Sequence, residues 1–412
     1  MGRLVLWVLT LVLPFQPAWT RDPPSPLFYE SEARFLEQVE SGSFDPHLEL
    51  HLLEYAADPR WVLDWVSNRY AKGGLFAEYG STTSSRLFVN SQLALNLFPA
   101  ERLQFRYDRR TYQDSRFELQ DERFDFLWHP GGSWGLIASG WPSSRKDRAS
   151  LGAGIRLGSR DGGQELALLV MNDRPFWNEK TDESIQFNQA PYRLLLDGHG
   201  RHAAWRYGGS VDFGMPYRAQ DLGVGPIKTI RGYQRLGDLG AEYQAESWAA
   251  GARFSWGDLL REQGEEGTPT YWLERRYKRI LTYARTLRGL FAWYAWLGLA
   301  HQQDSFASPS IQAGSYHMAA RLFGVELGVF PRQKLEIRLG YLGNDMGMER
   351  RSLPIGGADL PLPDRTENRF VDKVHCRLLW TFSPRMSLEF LLSHTLAGDR
   401  FGGGSLKVRF IL

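Results

Sequence analysis

Polar and apolar residues alternate strictly along several stretches of the chain. In the segment NLFPAERLQFRY, residues 96–107, Arg102, Gln104 and Arg106 share one parity, while apolar and aromatic residues hold the other. A period of two is typical of a β-strand with one wet face and one apolar face. The pattern therefore predicts a strand that separates two different environments.

The same design recurs at other places in the chain. It appears as GVFPRQKLEIRLGY at 328–341, as TFSPRMSLEFLLSH at 381–394 and, more loosely, as LWHPGGSWGLIASG at 127–140. In each copy an aromatic residue precedes a turn that contains proline, and a new strand follows. Since proline cannot donate to a sheet ladder, it belongs at the corner between strands. Repeated tight hairpins of one style predict an antiparallel meander.

From about residue 70 onward, short turns alternate with connections that are mostly longer. We expect the longest connection at 345–368. Eighteen strands are predicted on this scheme, or sixteen if one uncertain hairpin near 226–257 is lost. The short turns are expected near 99–101, 130–132, 159–163, 197–200, 237–238, 286–288, 331–333 and 384–386. This arrangement predicts an all-β fold, a transmembrane antiparallel up-and-down β-barrel of 16–18 strands over 70–412.

Composition agrees with a barrel and excludes other classes. The 49 basic and 47 acidic residues nearly cancel, so nothing indicates a nucleic-acid partner. Aromatic residues make up 14% of the chain, although the mean hydropathy is −0.38. Many aromatic residues in a polar chain suit a barrel whose apolar outer band is edged by aromatic girdles. A soluble β-sandwich with an aromatic core is the alternative.

The N-terminal part predicts export and a separate small segment. Residues 1–20 have the charge and short apolar run of a signal peptide. Residues 21–69 contain Asp45-Pro46 and Asp58-Pro59, each typical of a helix start. We expect a periplasmic helical segment, which either caps or plugs the barrel or docks a periplasmic or extracellular protein partner through residues 27–69.

The last strand carries the most specific signal. In GGGSLKVRFIL, apolar side chains recur at every second position: Leu406, Val408, Phe410 and Leu412. This segment resembles the terminal strand that outer-membrane β-barrel proteins of the porin-like kind present to their insertion machinery. One departure is that the chain ends on Leu412 rather than on an aromatic residue. The resemblance implies the cell outer membrane as location, with outer-membrane lipid and the barrel-insertion machinery as partners.

The resemblance also implies a lumen and a function. The side chains expected to line the pore are Arg102, Gln104, Arg106, Lys334, Glu336 and Arg338. Within the longest connection, Arg350, Arg351 and Asp359 are candidates for a constriction. The predicted function is a channel for small polar or anionic solutes. The alternative is a scaffold that sheathes or docks a partner, such as an exported multihaem cytochrome that conducts electrons, or a secretion component.

Candidate chemistry adds little to this picture. Cys376 is the only cysteine, no CxxCH motif attaches haem, and no cluster has metal-ligand spacing. His301 with Asp304 and His394 with Asp399 sit near predicted outer strand ends, where polar residues are ordinary. We therefore predict that the protein is not an enzyme and uses no metal or other cofactor.

Overall fold

The computed structural model describes the part of the chain that was predicted to form the barrel. It describes residues 74–82, 87–114, 118–142, 149–158, 164–173, 185–189, 191–221, 228–265, 268–286, 291–307, 314–329, 334–352, 365–383, 385–396 and 400–411. The predicted signal peptide and the predicted helical segment at 21–69 lie outside these residues, as does Leu412.

The regular structure within these ranges is β-strand. The segments are β1 (Gly74–Thr82), β2 (Leu87–Ala100), β3 (Leu103–Asp114), β4 (Glu118–Gly131), β5 (Trp134–Trp141), β6 (Ser150–Gly158), β7 (Glu165–Asp173), β8 (Ile185–Gln189), β9 (Tyr192–His202), β10 (Trp205–Gly214), β11 (Tyr217–Asp221), β12 (Lys228–Gln244), β13 (Trp248–Glu265), β14 (Thr268–Thr286), β15 (Phe291–Ala307), β16 (Gly314–Val329), β17 (Leu335–Ser352), β18 (Arg365–Ser383), β19 (Met386–Thr395) and β20 (Arg400–Ile411). Among the described residues, no helix is long and apolar enough to cross a membrane.

The strands close into one barrel. Neighbours along the chain pair antiparallel, and β20 pairs with β1 from Gly74 opposite Ile411 to Thr82 opposite Gly403. The short segments β8 and β11 pair with each other and extend β9 and β10, which also pair with each other. The segments β8 and β9 together count as one barrel strand, and so do β10 and β11. The closed sheet therefore has 18 strands. The predicted all-β class, antiparallel topology and upper strand count are confirmed.

The two faces of the wall differ as the alternation predicts. On β15, Leu297 and Leu299 point outward and are well exposed, while Ala292 and Tyr294 point inward and are buried. Near the short turns the outer face carries an aromatic girdle, which includes Trp128, Trp134, Trp205, Trp248, Phe291, Trp293, Trp380, Phe382 and Phe410. A closed sheet with an apolar outer band and an aromatic girdle is suited to lipid, because no backbone edge is left unpaired. The described strands therefore form a closed β-barrel of the transmembrane kind.

One side of the barrel is taller than the other. Strands β12 to β18 have 16 to 19 residues, whereas β5, β6 and β7 have 8 or 9. A membrane-spanning strand needs about 9–11 residues. Beyond the apolar band, the outer face of the long strands turns polar, as at Arg276, His301, Arg321 and Glu349. The long strands therefore extend past the lipid on the side opposite the short turns, which is the extracellular side by the usual barrel orientation.

Two predicted turns are wrong. The expected turns at 197–200 and 237–238 lie inside β9 and β12, and the chain reverses instead at residues 203–204 and 245–247. Both misplaced turns contain glycine. In the barrel, a Cβ on Gly200 would lie 2.6 Å from the Tyr207 hydroxyl, and one on Gly237 would lie 2.2 Å from Trp256 Nε1. These glycines make room for aromatic side chains on neighbouring strands rather than for turns.

The longest predicted connection is also shorter than expected. Strand β17 continues to Ser352 and β18 begins at Arg365, so the connection comprises residues 353–364 rather than 345–368. The many charged residues at both ends of this stretch belong to strands that stand above the apolar band. Charge in that position is compatible with a strand because the wall there faces water.

Candidate functional site

The inward face of the barrel is the candidate functional site. At the level of the short turns, buried and partly buried acidic and basic side chains from most of the circumference form a belt of ion pairs, which we call the lumen ring. Its members are Glu78, Arg106, Arg156, Glu165, Glu242, Arg285, Glu326, Glu336, Arg338, Arg377, Glu389 and Lys407. Charge on the inner face can be retained only where it is paired or wet.

A bidentate ion pair in the ring spans the space inside the barrel. Arg106 on β3 donates from Nη1 to Glu165 Oε1 at 2.5 Å and from Nη2 to Oε2 at 2.6 Å. Arg156 Nη2 lies 3.0 Å from the same carboxylate. Three strands separate β3 from β7, or about 19 Å along the wall at the usual strand spacing. The contact therefore requires the wall from β3 to β7 to curve tightly.

A second long-range pair repeats this geometry one strand further on. Arg123 Nη1 on β4 lies 3.5 Å from Asp197 Oδ2 on β9, and Arg123 Nε donates to Asp125 at 2.8 Å. Between the two pairs, inward apolar side chains pack into one cluster, formed by Leu127, Ile137, Ala167, Leu169, Met171 and Leu195. The wall from β3 to β9 thus encloses a lobe that is filled with side chains like a protein core. We call it the packed lobe.

On the opposite part of the ring, Glu326 of β16 organises a shared network. Its carboxylate accepts from Arg338 Nη1 at 3.4 Å and lies 2.7 Å from His375 Nε2 and 3.4 Å from Arg377 Nη2. Arg338 also donates from Nε to Glu336 at 2.6 Å. Because charged hydrogen bonds are strong where water is scarce, this network fixes the inward face of β16 to β18.

Aromatic side chains complete the inner face of this region. Tyr294 donates its hydroxyl to Glu336 Oε1 at 3.2 Å, and the Arg338 guanidinium lies 4.3 Å from the centre of the Tyr294 ring. Trp296, also inward, packs on Leu342 and Val371. A Cβ on Gly324 would lie 2.2 Å from Trp296, so this glycine lets the indole lie against the wall.

The ring crosses the seam where the barrel closes. Lys407 of β20 lies 3.3 Å from Glu389 of β19 and 3.6 Å from Glu78 of β1. These contacts join the first strand to the last two on the inner side. An inward Lys407 agrees with the predicted parity of the last strand, and Leu406 and Phe410 are exposed on the outer face. Their use as an assembly signal stays a prediction.

Above the ring, buried charges are also paired. Arg275 on β14 donates from Nε to Asp304 Oδ1 on β15 at 2.9 Å, and both side chains are 0% exposed. The sequence pattern did not reveal this pair, because its partners come together only through the register that sets Arg275 opposite Asp304. Asp304 points inward and is held by Arg275, whereas His301 points outward. The two side chains therefore lie on opposite faces of the wall and do not form a catalytic pair.

The predicted pore-lining residues divide into two groups. Gln104, Arg106, Glu336 and Arg338 face inward and are buried, with Arg106 only 7% exposed. Arg102 and Lys334 lie at the short turns and are exposed. Arg106 and Arg338 do not project singly into water, since each is held by carboxylates. A pore-lining role for the six stays a prediction.

The predicted constriction residues are not gathered in one loop. Arg350 and Arg351 belong to β17, and Arg351 points outward, where its Nη2 lies 2.6 Å from Glu349. Arg351 is therefore not positioned to constrict the lumen. Asp359 lies outside the described residues.

Within the ranges that the structure describes, no three His, Cys, Asp or Glu side chains group as metal ligands. The thiol of Cys376 is exposed on the outer face of β18. What the buried residues can do is hold the wall and present polar groups along the interior.

Comparison with known proteins gives similar folds and little sequence likeness. No protein-family model and no curated protein matches the chain. Among solved structures, a loop L8 deletion mutant of OmpT, an outer membrane protein of Vibrio cholerae, is 9% identical with a TM-score of 0.38, covering 82% of this chain and 97% of that one. Pseudomonas aeruginosa OccK5 is 9% identical with a TM-score of 0.39, covering 83% and 97%. A bacterial polysaccharide outer membrane secretin is 8% identical with a TM-score of 0.39, covering 83% and 99%.

Proposed function

We propose that this barrel is an outer-membrane channel for small polar solutes. The observation that carries the proposal is the polar inner face of a closed 18-strand barrel, which continues from the lumen ring up to residues such as Gln302 and Glu367 near the extracellular ends of their strands. Barrels of 16–18 strands are wide enough for an aqueous path. Polar side chains at several heights of the inner face are what such a path needs.

Burial indicates where in the barrel the path runs. In the packed lobe, nearly every described inward side chain of β3 to β7 is buried. On the long strands many inward side chains are buried as well, but several polar ones are partly exposed, namely Gln234, Arg279, Gln302, Glu367 and Arg369. We place the path along β12 to β18, so that it is off-centre rather than along the barrel axis.

Charges beside this path are largely balanced. Arg369 Nη2 lies 2.7 Å from Glu367 Oε2, and the Arg338 charge is offset by Glu326 and Glu336. The basic residues noted in the sequence therefore give a weaker positive field than their number suggests. We therefore expect weak ion selectivity, and passage of anionic solutes stays a separate, finer proposal.

We expect the wild-type barrel to have a reversal potential near zero in a salt gradient. Replacing Glu367 by glutamine is expected to shift this potential toward anion preference. The change leaves the Arg369 charge beside the path without its nearest carboxylate. The measurement is the reversal potential in planar bilayers with unequal potassium chloride concentrations.

The matched control is Glu349→Gln. Glu349 pairs with Arg351 at 2.6 Å but on the outward face of the neighbouring strand, so this change should leave the reversal potential where it is. Equal shifts in both variants, or no shift in Glu367→Gln, would show that the path does not pass Glu367.

The scaffold alternative has no supporting contact among the described residues. The segment 27–69, through which a partner was expected to dock, lies outside them. If the barrel does not conduct ions, the scaffold becomes the preferred proposal.

A further inference from the structure

A groove indents the outer wall of the barrel just above the apolar band. Its volume is about 600 Å³, and it runs across β14 to β18. We call it the rim groove. The residues that matter for its chemistry are Lys278, His301, Ala319, Arg321 and Asp345, with Ile280 and Leu299 on its membrane side.

The groove is concave because small residues occupy its middle. Across the sheet, Lys278 lies opposite His301, His301 opposite Ala319, and Ala319 opposite Gly347. These four positions form one row across the strands, in which two large side chains are followed by two small ones. The row lies on the outer face and opens away from the lumen.

The groove lies at the boundary between lipid and water. With about 3.4 Å per residue and a tilt of about 40°, His301 stands about 26 Å above Phe291 of the aromatic girdle. The apolar band of a barrel is about 25 Å tall. Below the row, Ile280 and Leu299 are outward and exposed at 45% and 59%. The rim groove therefore touches both the hydrocarbon edge and the extracellular headgroup layer.

The groove also carries two cations, Lys278 and Arg321, for which the described residues supply no ion pair. Neither Lys278 nor Arg321 forms an ion pair with a residue that the structure describes, although Arg321 lies opposite Asp345 in the register. Nearby outward arginines behave differently, since Arg276 lies 2.5 Å from Glu274. His301 and His317 share a hydrogen bond of 2.6 Å between their Nε2 atoms and add polar edges to the row.

We propose that the rim groove binds the phosphorylated headgroup of a lipid in the outer leaflet. Lys278 and Arg321 would contact the phosphate, and the acyl chains would lie on Ile280 and Leu299. Basic side chains at a membrane surface attract anionic headgroups, and guanidinium groups suit phosphate geometry. The apolar floor distinguishes a lipid from free phosphate, because only a lipid would use both parts of the site. Asp345 lines the same groove but forms no ion pair with Arg321, and the two cations outnumber this one carboxylate.

The test compares lipid binding to the purified full-length barrel in detergent, by native mass spectrometry with bis-phosphorylated lipid A as the probe. The double change Lys278→Gln and Arg321→Gln is expected to weaken binding by about tenfold. The change Ala319→Leu keeps every charge but fills the groove, and it should weaken binding to a similar degree. Heat-modified mobility on gels checks that each variant is folded.

The matched control is the double change Lys334→Gln and Arg385→Gln, which removes one lysine and one arginine from exposed short turns at the other end of the barrel. Its lipid binding should equal that of the wild type. Unchanged binding in the groove variants, or an equal loss in the control, would overturn the proposal. Displacement of the lipid by equimolar inorganic phosphate would assign the cations to free phosphate instead. None of these outcomes depends on whether the barrel conducts.

Discussion

Replacing Glu165 by glutamine is expected to lower the free energy of unfolding of the barrel by about 3–5 kcal/mol, the usual cost of breaking a buried ion pair. The carboxylate is shared by Arg106 and Arg156, and all three side chains are at most 8% exposed. Without the charge, two buried guanidinium groups would lose the carboxylate that they share. Because the contact braces strands that are not neighbours, its loss should also loosen the packed lobe.

Urea-induced unfolding in lipid vesicles, followed by tryptophan fluorescence, measures this effect. Glu274→Gln is the matched control, since Glu274 pairs with Arg276 at 2.5 Å where the arginine is 61% exposed. An exposed pair contributes about 0–1 kcal/mol, so this control should unfold almost like the wild type. If Glu165→Gln is as mild as Glu274→Gln, the pair does not brace the lobe.

Replacing Leu297 by arginine is expected to cost about 2–4 kcal/mol, the cost of a basic side chain near the middle of the lipid face. Leu297 is 65% exposed on the outer face of β15. The charge would have to enter hydrocarbon there, so the variant should assemble poorly. The measurement is the fraction of protein in the outer membrane that shows a folded, heat-modifiable band on gels.

Gln303→Arg is the control for this prediction. Gln303 lies on the same strand and the same face as Leu297, but above the apolar band, where it is exposed. Arginine there should leave assembly unchanged. Poor assembly of both variants would place the lipid boundary higher than the structure does, and normal assembly of both would mean that this face does not contact lipid.

Much of the architecture could be predicted from the sequence because alternation is a local property. Gln104 and Arg106 face inward and Leu103 faces outward, since a charge on the lipid face is costly. The same rule placed Glu336 and Arg338 inside. The sequence did not reveal the role of Gly200 and Gly237, which lie inside strands and not in turns. They make room for aromatic side chains of neighbouring strands, and those contacts are not visible in the local sequence.

The interior could not be predicted in the same way. Arg106 meets Glu165 only because the wall between β3 and β7 curves, and curvature is a property of the closed sheet rather than of either segment. Strand β7 hides its role further, because apolar residues occupy both parities from Leu166 to Met171. One parity faces lipid and the other fills the packed lobe. Which inward charges pair with each other could be seen only from the strand register in the three-dimensional structure.

The channel proposal is tested most directly by recording single channels of the purified full-length wild-type chain in planar lipid bilayers. We expect stepwise increases in current as barrels insert, with a reversal potential near zero in a potassium chloride gradient. Heat-modified mobility of the same sample establishes that the inserted protein is folded. A folded barrel that inserts and never produces current steps would contradict the proposal.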